Sequence, residues 1–379
     1  GLRRVSLAGL VLFTIASLIC GIAPSLEWLV VGRLLQGVSA ASILGLSIAM
    51  TRAIYPRELI GSGLGINALV VALSLVAGPT VASLIPHVTS WHWLFLINVP
   101  LGLLGIAMSL HSLPPTPRAP WRFDAVGALL CMTGLGAAVY LLNSLARSPN
   151  WLVALPGITM AALALLLLFH RQKDSPAPML AVDLLRRPLF ALSALASFLT
   201  VTIQALALVS LPFLMQDLLG YSQVETGFLI TPWPVFVAAV APFAGRWSDR
   251  IPAPTLGATG MAVLCLGLAL LATQPAHSTP IDIAWRMALC GVGYGLFHSP
   301  NMRTLVMSSP VERSGGAGGI SGVVSNLGHA TGAGIVAAVF TAFSSGGVSL
   351  ALWIGTCLAM LSSSVCLVQL FTLLKMRRS

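Results

Sequence analysis

Arg33 sits inside an apolar run, LVVGRLLQGVSAASILGLSIAM, which is followed by the basic turn TRAIYPRE and by a second apolar run broken at Gly78-Pro79. A cationic side chain within hydrocarbon costs about 2.5–3.5 kcal/mol on insertion scales, so Arg33 is expected to face protein or a water-filled cavity. Pro79 removes one backbone hydrogen bond and bends its helix. A sunken cation beside a bent helix suits machinery that moves something across a membrane. Proton coupling in such machinery needs a titratable group: burial raises a carboxylate's pKa and a nearby arginine lowers it. The ten acids are Glu27, Glu58, Asp124, Asp174, Asp183, Asp217, Glu225, Asp249, Asp282 and Glu312, and none lies in the middle of an apolar run. Asp217 and Glu225 come nearest, flanking one turn, and read as surface acids or as coupling groups. Arg33 itself reads either as a coupling-site cation or as a structural donor to neighbouring carbonyls.

Other polar residues inside the runs leave similar pairs of readings. Asn67, Gln204, Asn301 and Asn326 line a cavity or make interhelical hydrogen bonds. His298 and His329 are packing residues or proton relays. Trp233, between Pro232 and Pro234, stacks on an aromatic or cationic substrate or anchors at an interface. The six cysteines all fall inside apolar runs without metal-ligand spacing, so they are expected to be free, buried thiols, and no metal site is expected.

These residues are carried by an all-α membrane protein. Of 379 residues 57% are hydrophobic and 8% charged, with a mean hydropathy of +0.93, which excludes a soluble domain. Twelve spans are expected near 5–23, 28–51, 60–86, 92–112, 125–146, 151–170, 189–216, 224–244, 255–274, 283–308, 317–343 and 348–374. The first lacks a small-residue cleavage site and is a span, not a removable signal. Sorted by this topology, 17 of the 20 Lys and Arg fall on the side of the termini and 2 on the other, with Arg33 inside a span. That bias places both termini in the cytoplasm and explains the net charge of +10 without nucleic acid. Gly37, Ala41 and Gly45 form a small-residue stripe for close helix approach, and Gly61 and Gly65 share a face. Proline-rich linkers at 113–124 and 171–188 bracket one plain hairpin with Asn143 as its main polar residue. The expected division is therefore an N-terminal bundle over 1–112, an inserted hairpin over 113–188 and a six-helix bundle over 189–379.

Four motifs resemble the major facilitator superfamily, in particular its fourteen-span drug/proton antiporter branch of the EmrB/QacA type and the YebQ-like members within it. Leu29-x3-Arg33-x2-Gln36-Gly37 resembles the buried-arginine motif. Gly78-Pro79 resembles the antiporter motif, although the glycine pair that follows it in the family is Ala82-Ser83 here. Gly245-x3-Asp249-Arg250 resembles the cytoplasmic loop motif, and Gly1-Leu2-Arg3-Arg4 resembles the end of that motif's first copy. The phrases LFLINVPLG, VETGFLITPWP and ERSGGAGG carry the YebQ-like likeness. The resemblance implies that the first span here is the family's third, with twelve spans of fourteen present and the proton-handling aspartate of the family's first span lying outside this chain.

It further implies a major facilitator fold of two bundles that rock about a central cavity, with Asp249, Arg250, Arg3 and Arg4 in a charge latch of the cytoplasmic loops. For Asp249 and Arg250 an ordinary solvated loop is the other reading. The implied function is proton-coupled efflux of drug-like amphipathic compounds from a bacterial inner membrane. The protein would act as a monomer, with no cofactor beyond the proton gradient, and its partners would be a small-molecule substrate, protons and the bilayer. A complete twelve-span facilitator for another solute is the alternative, opposed by the place of Arg33 in the second span. A polytopic membrane enzyme is disfavoured because the loops offer no Asp/His pair or metal spacing, and a scaffold because the longest loop is about 18 residues.

Overall fold

In lipid, backbone polar groups find partners only within helices or closed barrels, and this chain takes the first route. The computed structural model describes residues 1–114, 116, 124–147, 151–172, 181–275, 278–343 and 346–378. Much of both proline-rich linkers lies outside the described residues, and at Pro79 and Asn143 only the backbone is described. The helices are α1 (Leu2–Gly21), α2 (Leu26–Ile54), α3 (Ile60–Val88), α4 (Trp93–Leu96), α5 (Asn98–Ser112), α6 (Ala125–Arg147) and α7 (Trp151–Gln172). They continue as α8 (Pro188–Phe213), α9 (Gln223–Ile230), α10 (Pro232–Ser248), α11 (Ala253–Ala272), α12 (Pro280–Met307), α13 (Ser314–Ala342) and α14 (Gly347–Arg378).

The short α4 runs into α5, and α9 into α10, so each pair makes one membrane-length unit. Twelve helical units result among the described residues, as the apolar runs imply. Ten are long and apolar enough to cross a membrane on composition alone. The other two are α6, whose apolar part Ala125–Leu141 is shorter, and α12, which carries Asp282, Arg286 and Arg303. Local signals set several boundaries. Ser222–Glu225 and Thr279–Asp282 form capping boxes that start α9 and α12, so Glu225 has a structural partner at a helix end. After α8 a single π-turn, Leu214–Leu218, leads to Gly220 at φ +74°, a left-handed position that favours glycine. Across Gly78-Pro79 α3 is continuous, one helix of 29 residues.

Two compact units organise the chain. The first comprises Gly1–Pro56 and Ser74–Arg122, the second Arg57–Leu73 and Phe123–Ser379. In the first, α1 packs against α2, α4 and α5. A Cβ at Gly9 would lie 3.0 Å from that of Ser42, and one at Gly105 3.2 Å from Leu10, so small residues let these helices touch. Expected close approach along Gly37 and Gly45 is not found: a Cβ at either would meet nothing within 4 Å. The four-residue spacing marks a smooth face, but α1 packs on another side of α2, where Gly32 meets Cys20.

The second unit holds the larger core, with Leu199, Ile203, Leu211, Trp233, Met261, Leu264, Met287 and Phe297 among its buried residues. Here α11 packs on α12 and α14, α10 on α12, and α8 on α13 and α14, while the α6–α7 hairpin reaches α13. Since lipid tails are as apolar as leucine, packing and hydrogen bonds, not transfer from water, hold these helices together. A Cβ at Gly293 would stand 2.6 Å from Gly260 O, which shows how tightly α11 and α12 cross. Exposed apolar side chains such as Leu44, Phe228, Ile281 and Phe371 present a hydrocarbon-matching surface.

Candidate functional site

In the second unit one carboxylate gathers three helices. Asp249 ends α10, and its side chain is only 12% exposed. Its Oδ1 accepts from the Gly61 N–H at 3.2 Å and its Oδ2 from the Ser62 Oγ at 2.9 Å. Arg303 of α12 places Nε 3.1 Å from Oδ1, an ion pair whose angle falls short of a hydrogen bond. The first N–H groups of a helix lack partners within it and carry a partial positive charge, so the start of α3 suits an anion. Asp249 supplies that anion from another helix.

Glycine makes the approach feasible. A Cβ at Gly245 would run into the Gly61 carbonyl, and one at Gly65 would lie 2.8 Å from Ala241 O and 3.1 Å from the Pro242 Cα. One turn above, Ser248 Oγ donates to Gly245 O at 2.7 Å and stays buried. Gly245 and Asp249 of the predicted latch are thus at the crossing of α3 and α10. Arg250 is exposed and lines an adjoining cavity instead of joining the carboxylate. Arg3 and Arg4 belong to the first unit, where Arg3 Nη2 donates to Leu110 O at 2.6 Å. Sequence reasoning missed Arg303, Gly61 and Ser62 as partners of Asp249. The available signals were a lone arginine at the end of a span and the shared face of Gly61 and Gly65.

The first unit holds the second cluster. Arg33 Nη1 donates to Gln36 Oε1 at 3.0 Å, and Gln36 Nε2 donates to Ser17 Oγ at 2.8 Å, which links α2 to α1. The guanidinium carbon stands 5.9 Å from the Phe95 ring centroid. Arg33, Gln36 and Phe95 border a cavity of about 270 Å³ with Phe13, Gly37 and Asn98, and Arg33, expected to be buried, is exposed at its opening. No salt bridge to Arg33 occurs among the described residues.

The remaining candidates scatter. Tyr294 OH donates to Gln204 Oε1 at 3.2 Å and its ring stacks on His298 with centroids 5.5 Å apart, forming a polar-aromatic group between α8 and α12. Asn301 Nδ2 donates to Ser193 O and Ser197 Oγ, and Gln369 Nε2 donates to Ser193 Oγ, a buried seam joining α8, α12 and α14. Asn326 bonds within its own helix to Gly322 O, and Asn67 is half-buried. His329 is exposed. Trp233 is 2% exposed in the core, with its backbone against Gly291. Gly78 is exposed, with open space around its Cβ position. The cysteines form no disulfide, and no cluster of metal-ligating residues occurs among the described residues.

Comparison with known proteins agrees with this architecture. The family model described as Major Facilitator Superfamily matches residues 1–333 and 194–375. The chain is 40% identical over 367 residues to the uncharacterized transporter YebQ of Escherichia coli, covering 96% of this chain and 80% of YebQ. It is 31% identical to the multidrug resistance protein Stp of Mycobacterium tuberculosis, covering 90% of this chain and 64% of Stp, less than two thirds of that relative's length. The crystal structure of the human organic anion transporter MFSD10 superposes with a TM-score of 0.70 at 18% identity, over 97% of this chain and 77% of that one, a likeness of fold. By family, helix content and fold, this chain belongs to the major facilitator superfamily of multi-pass membrane transporters.

Proposed function

We propose that this transporter exports drug-like amphipathic compounds in exchange for protons, by alternating access. The observation that carries the reading is the Asp249 contact. One carboxylate bonds the start of α3, closes the end of α10 and pairs with Arg303 of α12. Such a contact stabilises one arrangement of three helices and is released at the cost of a few hydrogen bonds, as a gate in a transport cycle requires. Export of drug-like compounds is supported by likeness to Stp, a multidrug resistance protein by name. The proton gradient is the energy source, with no cofactor. The Arg33–Gln36–Ser17 chain supplies a polar, charged group next to a cavity, able to lower the pKa of a carboxylate brought to it.

The protein is placed in a bacterial inner membrane as a monomer. Both termini of the chain lie in the cytoplasm, on the 17-to-2 distribution of Lys and Arg. Everted membrane vesicles from expressing cells, energised to an acidic interior and offered an amphipathic dye such as ethidium in the medium, test the reading. Dye accumulation that collapses with nigericin is the expected result. Accumulation indifferent to nigericin would overturn the exchange for protons, and its absence across a panel of amphipathic compounds would overturn the drug-export reading and favour a facilitator for another solute.

A further inference from the structure

Where the α10–α11 turn meets the last turns of α12, the second unit has a cavity of about 280 Å³. Arg250 and Arg303 line it from two elements, together with Asp249. Its lining also has apolar side chains, Leu189 of α8, Met307 of α12 and Leu373 of α14. Two guanidinium groups and one carboxylate thus line the cavity, and of the two only Arg303 pairs with that carboxylate. Arg303 Nε stands 3.1 Å from that carboxylate without hydrogen-bond alignment. Arg250 has no carboxylate partner among the described residues. The volume equals that of about nine waters in the liquid, enough for a phosphate group with its remaining hydration.

We propose that this cavity binds a phosphate group, held by Arg250 and Arg303. A planar guanidinium presents paired N–H donors that match phosphate oxygens, which lysine does only as a point charge. The apolar side chains add a second property. A phosphate attached to an acyl chain lays that chain along Leu189, Met307 and Leu373, whereas a soluble phosphate leaves them unused. Bound phosphate ties the α10–α11 turn to α12 beside the Asp249 contact, so it favours the arrangement in which that contact is made. The proposal stands apart from drug export, because its test reads ligand retention and stability without any flux.

Delipidated protein in detergent is offered equimolar palmitoyl-oleoyl phosphatidylglycerol and phosphatidylcholine, and retained lipid is counted by native mass spectrometry. A parallel arm measures thermal stability in 20 mM sodium phosphate against sodium chloride at matched ionic strength. Wild-type protein is expected to retain the anionic lipid preferentially, and Arg250→Gln to lower that preference about fivefold, the effect of one basic side chain near an anionic lipid. Arg246→Gln removes a neighbouring exposed charge outside the cavity and is expected to leave the preference in place. Leu373→Trp, which fills the cavity from its apolar lining, gives a second variant with the same expected loss. Phosphate protection that Arg250→Gln abolishes, with no lipid preference, assigns the site to soluble phosphate. Equal retention and equal protection in wild type and both cavity variants overturns the proposal, as does an equal loss in Arg246→Gln.

Discussion

Replacing Asp249 with asparagine tests how much the three-helix contact contributes. The side chain keeps its shape but loses its charge, and one of its oxygens becomes an amide nitrogen. Two hydrogen bonds, from Gly61 N–H and Ser62 Oγ, change from charge-assisted to neutral at best. Bonds to charged groups contribute about 1.5–3 kcal/mol and neutral ones about 0.5–1.5, so the loss is about 1 kcal/mol for each. The Arg303 pair adds about 1 kcal/mol more, since Asp249 and Arg303 are 12% and 23% exposed and solvent screens them only in part. The sum is about 3 kcal/mol, or about a hundredfold in the local opening equilibrium. The Gly61 amide is itself the donor and so reports directly. Hydrogen exchange followed by mass spectrometry on a peptide covering Gly61 is expected to quicken about a hundredfold in Asp249→Asn, while peptides from α11 stay unchanged. Arg303→Gln should show a smaller quickening, and the double variant less than the sum of the two, because both act on one contact. Exchange at Gly61 within threefold of wild type in Asp249→Asn would refute the reasoning.

Three further outcomes follow from the geometry. Gly245→Ala should destabilise the protein by about 1–3 kcal/mol, because its Cβ meets the Gly61 carbonyl, whereas Gly45→Ala, with open space around it, should be neutral or slightly stabilising; melting in detergent distinguishes them. Gln36→Leu breaks the link from Arg33 to Ser17 and should cost about 1–3 kcal/mol while lowering dye transport, as paired melting and flux measurements will show. The hydrogen bonds of Asp124 with Arg171 and then the Gly127 amide hold its carboxyl below the usual carboxylate range. A lowered folded pKa stabilises above the unfolded value near 3.9 and is lost as pH falls through that region. Melting curves of Arg171→Gln should therefore differ no more from wild type at pH 5 than at pH 8.

Much of the fold was legible because hydropathy and length report directly on what the bilayer requires. Apolar runs marked the helical units. Arg33 was found from its cost alone, and Gln36, three residues on, lies on the same helix face and bonds to it. The partners of Asp249 were hidden for a geometric reason: Gly61 is 188 residues away, and only the crossing of α3 and α10 brings them together. Trp233 was read toward substrate or interface because flanking prolines mark an interruption, yet they do not reveal which way the ring turns; it turns into the core. Gly37 and Gly45 show the converse. A small-residue stripe permits contact, but a packed neighbour decides whether contact forms. Gly78-Pro79 likewise marks a weak point in α3 that the surrounding helix carries without interruption.

The most direct test of the gating role given to Asp249 is transport by Asp249→Asn in proteoliposomes under an imposed pH gradient, with dye binding measured on the same preparation. The account predicts at least a tenfold fall in gradient-driven flux with dye affinity kept within about twofold, since a charge contact in the cycle is lost but no binding group is removed. Flux at the wild-type rate in Asp249→Asn would contradict it.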